Sequence, residues 1–173
     1  MEYGEIYFWT TTIRNWCHLL KTHEFKQVIL DSFQYMTDIG KIDIYAFVIM
    51  PNHLHTIWSM LEPNGKETPQ GSFHKYTAHC FKEMLVEKNP ALLAPFRVID
   101  RKKRFEFWQR DPLAIPIYNR KTALQKLNYL HNNPVIEKWK LADEPCGYEY
   151  SSAKYYERNE KNYPFLKDLW DVF

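Results

Sequence analysis

Residues 42–60 constrain the fold more than any other part of the chain. Ile42 to Met50 is apolar at nearly every position, Pro51-Asn52 forms a turn, and His53 to Met60 continues with apolar residues and two histidines. A short apolar run that ends at turn residues predicts a strand covered on both faces. The turn predicts that the second strand returns antiparallel. Strand side chains alternate faces, so His53 and His55 point the same way, about 6–7 Å apart along the backbone. Leu54, Thr56 and Trp58 point the other way. Two neutral imidazoles on one rigid face can bind a divalent metal, but two ligands make a weak site and call for a third from elsewhere. His-x-His alone is a short motif, and the same pattern occurs where histidines face water or edge a core. The apolar run before the pair and Ile57-Trp58 after it place these two in a buried hairpin, where unpartnered imidazoles are costly.

A chain of 173 residues suits one domain with a substantial core. That domain is expected to span 1–173, with its core over about 5–134 and a C-terminal wrap over 135–173. Six Trp, twelve Tyr and eleven Phe suit a dense core and also surfaces on which bases can stack. A net charge of +2 permits nucleic-acid binding without demanding it. Cys17, Cys80 and Cys146 are scattered and odd in number, which argues against a disulfide framework or a zinc knuckle. The start, Met-Glu-Tyr-Gly-Glu, lacks the pattern of a signal peptide, and no apolar run reaches the length of a membrane span. A cytoplasmic protein with no membrane partner is the expectation.

In chain order, Ile6 to Ile13 reads as a strand and residues 14–21 as a connector. About Thr22 to Asp38 reads as a helix, with Phe25, Val28, Ile29, Phe33 and Met36 at helical spacing and Gly40 as the stop. After the hairpin, Leu61 to Gly71 reads as a loop and Ser72 as the cap of a helix striped by Phe73, Tyr76, Thr77, Cys80, Phe81, Met84 and Leu85. Phe105–Gln109 and Leu113–Tyr118 read as extended, and Arg120 to Asn133 as a helix capped by Asn119 and stopped by Pro134. Strand, helix, strand, strand, helix, strand and an added helix predict an α+β, ferredoxin-like split β-α-β sandwich. Its antiparallel sheet carries two helices on one face. The histidine face is left for the third helix.

On that third helix Ala123, Leu124, Leu127 and Leu130 form the apolar side. Tyr129 lies about 200° from Leu127, off that side, and shares a face with Asn133 one turn later. His131 lies about 200° from Tyr129 and is read as structural.

The chain here resembles the REP-associated tyrosine transposases, within the HUH single-strand nucleases and IS200-like transposases. The resemblance rests on Met50-Pro51-Asn52-His53-Leu54-His55 with Trp58, on Phe107 to Ile115, on Leu127-Asn128-Tyr129-Leu130-His131-Asn132-Asn133-Pro134-Val135, and on Tyr150-Ser151-Ser152-Ala153. The motifs stand in family order over roughly residues 5–157. One departure is Ile136-Glu137-Lys138, where many members carry a basic residue, any residue, then glycine. The resemblance implies that His53, His55 and Asn133 hold Mg²⁺ or Mn²⁺ and that Tyr129 is the nucleophile. The implied reaction cuts and rejoins single-stranded DNA beside a hairpin through a 5′-phosphotyrosine link. Arg101, Lys102, Lys103 and Arg104 are then candidates to track hairpin phosphates, and Lys126 to offset phosphate charge or favour the phenolate. Monomer and homodimer both stay open, as does a site shared between two chains. The alternatives are a binding module that holds structured single strands without cutting them, and a hydrolase that uses water at the histidine site.

Overall fold

The computed structural model describes residues 1–99 and 104–173. The chain runs β1 (Ile6–Thr12), α1 (His23–Asp38), β2 (Ile42–Ile49), β3 (His53–Met60), α2 (Pro69–Lys88), β4 (Leu113–Pro116), α3 (Arg120–Asn132) and α4 (Ala153–Arg158), with short 3-10 turns between. The four strands make one antiparallel sheet in the order β2-β3-β1-β4. The protein is therefore α+β.

Period-two alternation assigns the two faces. Trp9, Leu54 and Trp58 share one apolar core with Ile29 and Phe33 of α1 and Phe73 and Phe81 of α2. Phe8, Ile57 and Val48 face the opposite way, into a second core with Ala123, Leu127 and Leu130 of α3. A bulge separates Ile44 from Ala46 in the β2–β3 register. The extra residue shifts the alternation, so Tyr45 and Ala46 both join the α3 side. Residues before the bulge face α1 and α2 at even numbers, those after it at odd ones. With both faces covered, residues 42–50 carry apolar side chains at every position but Asp43.

Several boundaries differ from the sequence expectation. The helix α2 starts at Pro69, with the Thr68 hydroxyl accepting from the Gly71 amide at 3.1 Å. Proline at the first helical position needs no partner for a missing N–H, so Thr68 rather than Ser72 is the cap. Leu124 is 47% exposed and lies off the apolar side of α3. The segment Phe105–Gln109 contributes isolated bridges, Arg97 with Phe105 and Ile13 with Trp108, rather than a strand.

The C-terminal segment covers the free edge of β2. The Ile49 amide donates to the Tyr150 carbonyl at 2.9 Å and the Ser152 amide to the Phe47 carbonyl at 3.0 Å. The buried Ser152 hydroxyl accepts from the Phe47 amide at 3.0 Å and lies 2.8 Å from His131 Nε2. The Tyr150-Ser151-Ser152-Ala153 motif therefore ties α3 to the sheet. Ser152→Ala strands a buried amide and a buried imidazole, and is expected to lower stability by about 1–3 kcal/mol in urea unfolding. An unchanged midpoint would show that this tie is dispensable.

Candidate active site

The histidine strand and the tyrosine helix meet on the α3 side of the sheet. The rings of His53 and His55 are 4.7 Å apart between centroids, and the His55 ring is 5.3 Å from that of Tyr129. Phe8 stacks on His55 at 5.3 Å and meets Tyr129 edge-on at 5.8 Å. Asn133, buried just after the last turn of α3, lines the same cavity as His53. His53, His55, Asn133 and Tyr129 all line one cavity of about 680 Å³. One chain brings all four together.

Strand register supplies partners for both imidazoles. In the β1–β3 pairing Thr10 stands opposite His55 and Thr12 opposite His53. The Thr10 hydroxyl lies 2.7 Å from His55 Nδ1. Asn52 serves His53: its Nδ2 donates to the Trp16 carbonyl at 3.2 Å, which turns its Oδ1 toward His53 Nδ1 at 2.7 Å. An amide oxygen only accepts, so His53 Nδ1 carries the proton and its Nε2 keeps the lone pair. With Nδ1 of His55 engaged as well, its Nε2 is left buried and without a hydrogen-bond partner among the described residues.

Burial, with the nearby Lys138, holds His53 down at about 4, against a smaller opposing pull from Asn133. Burial, then His53 and Lys126, holds His55 down at about 3. Both rings are neutral at pH 7, the state a metal ligand requires. An orphaned buried nitrogen, a second nitrogen with a free lone pair and a buried amide beside them fit a divalent cation. Among the described residues no group of three or more His, Cys, Asp or Glu could hold a metal. An Asn third ligand falls outside that pattern. If the set binds a metal, Thr10→Val keeps the side-chain shape while removing the partner that orients His55. It is then expected to weaken Mn²⁺ binding about tenfold in calorimetry. Unchanged affinity would mean that the Thr10 contact does not prepare a ligand.

Tyr129 is 53% exposed, and Lys126 lines the cavity with its Nζ 5.0 Å from the Phe8 ring centroid. His131 is buried on the opposite side of α3, against Tyr156 and Ser152, as the helical angle requires. Arg101, Lys102 and Lys103 lie outside the described residues. Arg104 is exposed beside the Arg97–Phe105 bridge and does not line the cavity. The sequence reading missed Thr10, Asn52, Trp16 and Trp139. The alternation of Thr10 with Thr12 was visible, but only strand pairing shows that they flank the histidines.

No protein-family model matches the chain, and no curated protein matches it. Among solved structures, one described as the REP-associated tyrosine transposase bound to a REP hairpin superposes with a TM-score of 0.62. The match covers 96% of this chain and 86% of that one. At 21% identity this is a likeness of fold. Among the described residues, no helix is long and apolar enough to cross a membrane.

Proposed function

We propose that the protein is a metal-dependent endonuclease and strand transferase of single-stranded DNA, with Tyr129 as its nucleophile and a DNA hairpin as its recognition element. The observation that carries this reading is the meeting of Tyr129 with His55 at 5.3 Å inside a cavity that also holds His53 and Asn133. The ferredoxin-like reading of the fold is supported by the β2-β3-β1-β4 order, with α1 and α2 packed on one face and α3 on the other. The shared fold with a transposase bound to a hairpin points to the same chemistry and substrate class.

A phenol near pKa 10 is a weak nucleophile at neutral pH, so the phosphate must be made more reactive. His53, His55 and Asn133 would hold Mg²⁺ or Mn²⁺, which would supply Lewis acidity to the scissile phosphate. Imidazole ligands favour Mn²⁺ at least as much as Mg²⁺. The protein's own parts do the rest. Asn52 and Thr10 hold the two rings in place. The α3 helix presents Tyr129 from above the strand, and Lys126 one turn earlier places a positive charge where phosphate enters. The Tyr129 oxygen bonds to phosphorus as the bond to the 3′-oxygen breaks, and that oxygen leaves as a 3′-hydroxyl. The new phosphotyrosine retains the energy of the broken linkage, so a second 3′-hydroxyl can reverse the step and join strands.

The test incubates the protein with Mn²⁺ and labelled single-stranded hairpins, followed by a denaturing gel. A covalent protein–DNA band supports the proposal. Hairpin binding that persists in chelator, with no band and no cutting, replaces it with the binding-module reading. Cutting without a covalent band favours attack by water.

A further inference from the structure

Trp16 is exposed where few tryptophans are. It is 59% accessible and sits on the rim of the histidine cavity. Asn15 and Trp16 both have φ of 55°, a backbone region that L-residues rarely occupy and large ones least of all. Two contacts maintain this pair of left-handed residues. Asn15 Nδ2 donates to the Pro95 carbonyl at 3.0 Å, and Asn52 Nδ2 to the Trp16 carbonyl at 3.2 Å. The same Asn52 side chain accepts from His53. One amide thus links the backbone that presents the indole to one of the two imidazoles of the proposed chemistry.

The surroundings select the kind of occupant. Among the described residues the cavity lining includes Lys126 and Lys138 and no Asp or Glu, so it suits a polyanion. Trp139 is already engaged, packed at 5.7 Å against both His53 and His18. No aromatic ring packs on Trp16 among the described residues. An unengaged indole beside a cationic cavity is the combination with which proteins hold single strands, the charge taking the backbone and the ring taking a base.

We infer that Trp16 is a stacking platform for one nucleobase of a single strand whose phosphate lies in the histidine cavity, and that Asn52 keeps this platform in register with His53. The inference rests on the function proposed above and adds the residue that sets the strand's position. Stacking accepts any base, so Trp16 supplies affinity and alignment while sequence choice comes from elsewhere.

The experiment measures anisotropy of a labelled short oligothymidylate and of versions with one abasic position moved along it. The full-length protein is used with Trp16→Ala, Trp16→Phe and Tyr129→Phe. Trp16→Ala is expected to weaken binding about 5- to 100-fold, with Trp16→Phe keeping most of the affinity. At one position the abasic strand costs the wild type a similar factor and costs Trp16→Ala nothing more. Equal affinities of wild type and Trp16→Ala overturn the inference. So does a Trp16→Ala effect on self-association in sedimentation without one on strand affinity. The two readings fail separately. A Tyr129–DNA adduct with normal strand binding by Trp16→Ala overturns the platform alone. A Trp16-dependent strand complex that never yields an adduct overturns the nuclease reading alone.

Discussion

Replacing Tyr129 with phenylalanine is expected to abolish the covalent protein–DNA band and to lower hairpin cleavage by on the order of 10⁴-fold or more. The substitution removes one oxygen and leaves the ring. The packing of that ring against Phe8 at 5.8 Å and His55 at 5.3 Å is preserved, and the residue is half exposed. Stability should therefore stay within about 0.5 kcal/mol of wild type. Hairpin affinity should also hold, because a strand is held by cationic and stacking contacts that the hydroxyl does not make. A variant that folds, binds and cannot cut isolates the nucleophile from every other role. Cleavage at a wild-type rate in Tyr129→Phe would remove the phenol from the mechanism, whatever became of the adduct.

Local periodicity made both halves of the site legible in the residue order, while the role tested in Tyr129 came only from the resemblance to the REP-associated tyrosine transposases. A period of two put His53 and His55 on one face, and the Pro51-Asn52 turn fixed where the strand begins. A turn of helix put Tyr129 on the side of α3 where Asn133 follows just past its end. The structure adds what period cannot carry. Which strand lies beside β3 depends on the packing of the whole sheet, so the pairing of Thr10 with His55 was hidden. Asn52 read as a turn residue, yet it also orients His53 and anchors Trp16. Trp16, Lys138 and Trp139 arrive from irregular segments whose paths no periodicity predicts. The misplacement of Leu124 has a simpler cause. An apolar residue at the margin of a helical stripe is assigned by its angle, and the core here is narrower than the stripe.

Buried histidines, inside the site and outside it, also set how the metal-free protein responds to acid. His53, His55 and His131 are at most 7% exposed. Burial is the first cause that holds each down, to about 4 for His53 and His131 and about 3 for His55. In the unfolded chain each titrates near 6.5. Between about pH 6.5 and 4 the unfolded chain therefore binds more protons than the folded one, and stability rises with pH across that window. The stabilisation is fully present above about pH 6.5 and is lost as the pH falls toward the folded values. Each histidine contributes up to about 1.4 kcal/mol per pH unit, so these three and His74, which burial also holds down at about 4, together reach roughly 5 kcal/mol per unit at the steepest point. From pH 6.5 to 5 the loss is on the order of 5 kcal/mol, comparable with the whole stability of many domains. Carboxylates contribute mainly below that range. Urea unfolding in chelator at pH 7, 6 and 5 should show the midpoint falling steeply. His131→Gln, although destabilising at neutral pH through its lost contact with Ser152, should flatten the slope by about a quarter. Stability that stays level from pH 7 to 5 would mean that these rings take up protons in the folded state. They would then be open to water, and the orphaned nitrogen of His55 would no longer point to a bound cation.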